Sequence, residues 1–380
     1  MLSKLLSAMD PGLIESRVLS LTSLGAVGPL MQERGVRVDA LGLSRGIPDP
    51  RALFRVARCL RAWKPDLIHT WMYHADLIGG LSARIAWPAP VVWCVRHGHP
   101  DSSTDKLTTI ATARACSLLS RILPRKIIFC SEESRRNHQR LGYAGDRATV
   151  IPNGFNIDEF RPRPEERARL RVELDLPPET EIIGCVARFD PIKDHPTLLR
   201  AARILLMSRP GARMLLCGRD VTWENARLVS WLREAGLARS FVLMGQRRDV
   251  SRILPALDLV TLSSVIEGFP NVIGEAMAAG IPCVVTDVGD SAYLLGDTGR
   301  VVPPRQPEAL AAAWLSLLEA GPEVRRRLGA QARTRIEQNF TLEVVTRKYS
   351  QVYLDLARNP RPSTPSSAIA RSEKPVELKR

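Results

Sequence analysis

The sequence contains no apolar run of about eighteen residues or more, so no segment has the length needed to cross a bilayer as a helix. Its first residues also lack the continuous apolar core of a secretory leader. The seven cysteines, Cys59, Cys94, Cys116, Cys130, Cys185, Cys217 and Cys283, stand singly, mostly in apolar runs. No Cys-x-x-Cys spacing occurs, which argues against a metal or redox pair and leaves reduced core thiols of a cytoplasmic protein as the expectation. Aromatic residues make up only 5% of the chain, and no helix-turn-helix, zinc or RNA-binding signature is present, so nucleic acid is not expected as a partner. Acidic residues are the scarcer charge, with 40 Asp and Glu against 54 Lys and Arg. The excess is concentrated at the amino-terminal side, where residues 1–150 hold 21 Lys and Arg against 12 Asp and Glu. Such a surface would be drawn to anionic lipid head groups, although a general richness in arginine would give the same count.

What is present fits two α/β domains. A chain of 380 residues with 45% hydrophobic content can bury two cores of ordinary size. Strands are expected at 17–22, 38–43, 67–71, 91–96, 126–131 and 149–151, alternating with helical patterns such as 50–63 and 104–123. That alternation describes a doubly wound domain. Asn153 and Gly154 read as a tight turn leading out of it. A helical pattern at 342–357 and a Pro-, Ser- and charge-rich tail from Asn359, expected to be disordered, end the chain.

The stretch from Ser263 to Asp287 is the most informative. Leu257 to Ser263 and Pro282 to Asp287 read as buried strands, with a loop and then a helix from about Val272 between them. The loop therefore lies at the carboxyl end of a parallel strand, where open α/β sheets bind ligands. Gly268 and Pro270 let backbone approach a ligand closely, and the unpaired amides of the helix start favour an anion such as phosphate. Glu267 and Glu275 stand eight positions apart; taken alone they would read as a solvated carboxylate and a helix-dipole partner. Earlier, a strand from Ile182 to Ala187 runs into a loop carrying Arg188 and Lys193, two cations able to clamp a diphosphate.

Together these segments closely resemble the donor site of glycosyltransferase family 4, whose motif is two glutamates separated by seven residues. The resemblance covers roughly residues 60 to 355 and implies two facing Rossmann-like doubly wound domains, the GT-B fold. It implies an acceptor-side domain at 1–152, a nucleotide-sugar domain at 153–340, and a helix at 341–358 that crosses back to the first domain. It further implies that Glu275 holds the ribose and that Glu267 contacts the transferred sugar. Gly268, Phe269, Pro270, Asn271 and Val272 would line the sugar and phosphate pocket. Arg188 and Lys193 would neutralise the departing diphosphate without a metal ion, in keeping with the lack of an Asp-x-Asp triplet. Gly218 and Gly245 each end a strand, and the base is expected near Gly245.

The resemblance also assigns His97, after the apolar strand ending at Arg96, to face the donor sugar, with His99 close enough to be confused with it. His69 and His74 resemble an acceptor-side stretch of the family, with a structural role equally open, while His138 and His195 read as surface or capping residues. One departure stands out. Leu2, Leu5, Leu6 and Met9 share a helical face, so the chain opens within a helix that the family normally places after a first strand and a Gly-rich turn. A start lying further upstream is the favoured explanation, and a degenerate copy the other. The activity implied is retaining transfer from a nucleotide diphosphate sugar, a UDP-sugar among the candidates, to a hydroxyl acceptor that is lipid-linked in many members. It would serve cell-surface polysaccharide or glycolipid synthesis at the inner membrane face, with no cofactor. A nucleotide-sugar epimerase of the same fold and a non-catalytic nucleotide-sugar binder are the alternatives.

Overall fold

Val91–Val95 shows how the first core is built. Val92 and Cys94 face one cluster and Val91, Trp93 and Val95 another, and all five are buried, as befits a parallel strand covered on both sides. The computed structural model describes residues 1–44, 49–100 and 105–358. Its strands are β1 (Arg17–Ser20), β2 (Arg37–Ala40), β3 (Ile68–Trp71), β4 (Val91–Val95), β5 (Lys126–Phe129) and β6 (Ala148–Val150) in the first domain. The second domain has β7 (Ile182–Val186), β8 (Arg213–Cys217), β9 (Phe241–Leu243), β10 (Leu259–Leu262), β11 (Cys283–Thr286) and β12 (Arg300–Val302). Each expected strand is present; most are shortened at their ends, while β2 starts one residue earlier than expected and β6 is shifted by one.

In the first domain β3-β4-β5-β6 form one parallel sheet, with Trp71 opposite Cys94 and Cys94 opposite Ile128. β1 and β2 pair in parallel with each other as a separate ribbon. The sheet is thus interrupted between β1 and β3 among the described residues. One face of the four-stranded sheet is closed by Leu5 and Met9, from and just after the helix Leu2–Ala8, and by Val345 and Tyr349 of the helix Leu342–Arg358. That last helix does cross back onto the first domain. The residues from Asn359 onward, expected to be a disordered tail, lie outside the described residues, as do 101–104 at the start of the expected 104–123 helix, which is observed at Leu107–Leu119.

The second sheet runs β12-β11-β10-β7-β8-β9, all parallel, so the chain order reverses direction between β7 and β10. This is the switch point at which doubly wound sheets open a crevice. A buried ion pair fixes the two strands there. Arg171, 2% exposed, donates to Asp258 at 2.9 Å, and Asp258 accepts the Ile182 N–H at 2.8 Å. Among the described residues no helix is long and apolar enough to cross a membrane.

Three local readings are corrected. Asn153 and Gly154 form no turn; the chain runs on without a turn and Phe155 bridges to Thr341. A side chain at Gly154 would meet the Leu342 backbone at 2.9 Å, so glycine is there for close packing. His138 is fully buried rather than a surface residue, with Nδ1 against the Ser134 carbonyl at 2.7 Å and Nε2 against the Tyr73 hydroxyl at 2.6 Å. His195, at a helix start as expected, is buried beside Phe189.

Candidate active site

The loops leaving β7 and β10 are stitched together before any ligand is considered. After β10, Ser263 Oγ donates to the Lys193 carbonyl at 2.8 Å and Val265 N–H to the Ile192 carbonyl at 2.9 Å. Ser264 Oγ donates to Glu267 Oε1 at 2.7 Å, and Lys193 Nζ meets the same oxygen at 2.5 Å. Lys193 lies in a short turn, Pro191–Lys193, capped by Asp190, which accepts the Ile192 N–H. Asp190 also accepts from Arg188 Nε at 2.8 Å. Burial pushes that carboxyl up, but the hydrogen bonds from Arg188 and Ile192 hold it below its ordinary range.

Pro270 opens the helix Asn271–Ala278, whose first residues Asn271 and Val272 border the space between the two loops. Gly274 lets Phe155 pack against this helix, since a Cβ there would lie 2.0 Å from the ring. Glu275, one turn in, is largely buried and pairs with Lys4 Nζ of the first domain at 3.0 Å. Burial raises its pKa, and the Lys4 charge opposes that shift. Nothing along the chain singles out Lys4, because its partner is 271 positions away.

These groups surround a cleft of about 630 Å³ between the domains. Arg188, Lys193, Glu267, Gly268, Phe269, Pro270, Asn271, Val272 and Glu275 all line it. So do Trp71, Arg96, Cys130 and Asn153, of which sequence reasoning had marked none as a site residue. Asn153 donates to Asn271 Oδ1 at 2.6 Å while its own Oδ1 is buried without a hydrogen-bond partner. A second hollow is lined by Arg188, Asp190, Gly218, Arg219 and Gln246. Gly245 sits beside it, in a positive-φ conformation at φ 64, with its carbonyl accepting the Gly218 N–H at 2.8 Å. Among the described residues no three His, Cys, Asp or Glu side chains are grouped to hold a metal ion.

His97, next in the chain after the cleft residue Arg96, is held from two sides. Its Nε2 lies 3.3 Å from Asp105 and its carbonyl accepts from Ser134 Oγ at 2.6 Å. The next residue, Gly98, makes a domain contact: a Cβ there would lie 2.7 Å from the Glu267 carbonyl. Arg96, the first residue beyond β4, lines the cleft directly. His69 packs among Trp71, Tyr349 and Tyr353, accepting the Tyr353 hydroxyl's approach at 2.6 Å, and burial pushes it down to about 3. His74 is exposed, with Thr112 at 3.5 Å.

Two facing doubly wound domains, with an arginine, a lysine and two glutamates converging at the switch point of the second, define a protein of the GT-B architecture. Residues 11–159 match the family described as Glycosyltransferase Family 4, and residues 180–320 that described as Glycosyl transferases group 1. The chain belongs to glycosyltransferase family 4. It is 23% identical to the UDP-Gal:alpha-D-GlcNAc-diphosphoundecaprenol alpha-1,3-galactosyltransferase of Escherichia coli over 82% of this chain and 81% of that one. It is 30% identical to the D-inositol 3-phosphate glycosyltransferase of Nocardia farcinica over 69% of this chain, spanning only 60% of the relative. The crystal structure of Anabaena Alr3699/HepE in complex with UDP-glucose superposes with a TM-score of 0.80 at 22% identity, covering 93% of this chain and 96% of that one. At that identity the likeness is one of fold.

Proposed function

We propose that this glycosyltransferase moves a sugar from a nucleoside diphosphate sugar, a UDP-sugar first among them, to a hydroxyl acceptor with retention of anomeric configuration and without a metal ion. The observation that carries the reading is the convergence of Arg188, Lys193, Glu267 and Glu275 on one cleft at the switch point. Lys193 and the first amides of the helix Asn271–Ala278 offer positive charge where a diphosphate would leave, and Arg188 adds a guanidinium. Glu275 is aimed to accept hydrogen bonds from ribose hydroxyls once Lys4 gives way. In the step itself the bond from the anomeric carbon to the β-phosphate oxygen breaks and the acceptor oxygen bonds to that carbon from the same face. The acceptor's proton passes to the departing diphosphate.

The particular relatives point to a role in cell-surface polysaccharide or glycolipid synthesis. A peripheral membrane contact has its own support: of fifteen large hydrophobic side chains exposed among the described residues, ten belong to the first domain, which also carries the basic excess. Leu107, Leu118 and Ile122 lie near Arg114, Arg121 and Arg125 in sequence.

The test is calorimetric binding of UDP, followed by transfer assays with UDP-glucose, UDP-galactose and UDP-N-acetylglucosamine and assignment of the product anomer by its proton coupling. Activity that persists in chelator and yields the donor's anomer supports the reading. A changed UDP-sugar released without any acceptor would make the protein an epimerase, and UDP binding with no turnover on any acceptor would make it a binding protein.

A further inference from the structure

Three cationic side chains line the cleft, and two of them are already matched. Arg188 pairs with Asp190 at 2.8 Å and Lys193 with Glu267 at 2.5 Å. Arg96 has no such partner: among the described residues no carboxylate lies within ion-pair distance of it. Its Nη1 donates to the Tyr349 hydroxyl at 3.3 Å, and its guanidinium lies 5.3 Å from the centre of the Trp71 ring. A guanidinium carries five N–H donors, and a phenol at that distance together with the Cys94 thiol leaves most of the fork open. A cation held on a cleft floor without a counter-charge is costly unless an anion is meant to join it.

Its position says which anion. Arg96 stands just beyond β4 in the first domain, whereas the groups assigned above to the donor's diphosphate, Arg188 and Lys193, follow β7 in the second. Trp71 and Tyr349 fix the guanidinium from the side of the sheet and of the carboxyl-terminal helix. We infer that Arg96, held by Trp71 and Tyr349, is the acceptor-side anion subsite, and that the acceptor carries a phosphate or diphosphate ester next to the hydroxyl that receives the sugar. The inference rests on the glycosyl-transfer reading of the same cleft. The fork geometry suits two phosphate oxygens, and the two relatives above are named for a diphosphoundecaprenol-linked sugar and an inositol 3-phosphate.

The test uses the full chain saturated with UDP, so that the donor's phosphate position is filled. Farnesyl diphosphate, inorganic pyrophosphate and farnesol are then titrated calorimetrically into the wild type, Arg96→Gln and Arg96→Lys, with melting temperatures confirming that each is folded. Binding of the phosphate probes but not of farnesol is expected. Arg96→Gln should weaken it about tenfold and Arg96→Lys less, with UDP affinity unchanged in both. A preference for farnesyl diphosphate over pyrophosphate assigns the ester to a lipid, and equal binding to a soluble phosphate. Should the UDP-loaded wild type bind neither phosphate probe, or Arg96→Gln bind them as well as wild type, the subsite is wrong. A parallel loss of UDP affinity would return Arg96 to the donor site. Failure of the wild type to bind UDP at all would instead overturn the transfer reading itself. Were Arg96→Gln unfolded, Arg96→Lys decides alone through its intermediate affinity.

Discussion

Asp290, in the second domain, caps the first-domain helix that begins at Glu132: its Oδ2 accepts the Glu132 N–H at 2.7 Å and its Oδ1 the Glu133 N–H at 3.1 Å. Its own N–H donates to the Gly268 carbonyl at 3.0 Å, so one residue ties the cleft loop to the opposite domain. Ser134 of the same helix holds the His97 carbonyl, which extends the tie to the Gly98 contact.

Replacing Asp290 by alanine removes a cap that spans the domains, an effect of about 1–2 kcal/mol. The domains should then open more readily. Small-angle scattering of Asp290→Ala is expected to show a larger radius of gyration than wild type, with slower turnover and little change in UDP affinity. Identical scattering curves would mean that other contacts hold the cleft shut.

Glu267 holds both Lys193 and Ser264 through one oxygen. Glu267→Gln keeps the shape and removes the charge. Transfer should fall by roughly 10²–10³, the range found when a preorganised charge is lost at a reacting centre. UDP should bind no worse, and somewhat better, because Lys193 is freed to meet the diphosphate. Steady-state rates and calorimetry on the one variant check both halves, and retention of wild-type turnover would remove Glu267 from the chemistry.

Gly274 is set against Phe155, which is 1% exposed and stacks on Phe269 of the cleft loop with ring centres 6.3 Å apart. Alanine would raise helix propensity by about 1 kcal/mol in a free helix. Here the methyl group has nowhere to go, because Phe155 is enclosed. Gly274→Ala should lose about 1–3 kcal/mol to overpacking and weaken UDP binding by shifting Phe269. Thermal melts and UDP titration would show it, and a raised melting temperature would contradict it.

Acid should destabilise the protein in a defined window. Burial pushes His138 down to about 4 and His195 also to about 4, from an ordinary 6.5. Between those values the unfolded chain binds protons that the folded rings refuse. Their contribution to stability is therefore complete above pH 6.5 and is lost as pH falls toward about 4. For His138 the loss is of order 3 kcal/mol at the acid end. Urea midpoints measured from pH 7.5 to 4.5 should drop steeply below 6.5, and less steeply in His138→Gln. A flat profile would show that the ring is hydrated or charged in the folded state.

Much of the site was legible because its parts lie close in sequence. The strand, loop and helix from Leu259 to Ala278 carry Glu267 and Glu275 on local structure alone, and Arg188 and Lys193 follow β7 by a few residues. Burial on both faces made β4, β7 and β10 readable as short apolar runs. The histidines were harder. His138 lies in a helix of mostly polar residues, Glu132–Arg140, so nothing in its neighbours foretold Tyr73 at 2.6 Å. The polarity of Asn153 and Gly154 suggested a turn, yet close packing against Leu342 demands the same glycine.

The sequence by itself determined the alternation of strands and helices and the loops at strand ends that carry Arg188, Lys193, Glu267 and Glu275, because hydrophobic periodicity and loop position at strand ends are local properties. Only the tertiary structure decided what faces that site. Lys4 meets Glu275 across 271 positions, Asp290 caps Glu132 across 158, and Arg96 lines the cleft from the first domain. Those relations depend on how two domains close on each other and on which residue the chain presents as it leaves β4, and neither leaves a periodic trace along the chain.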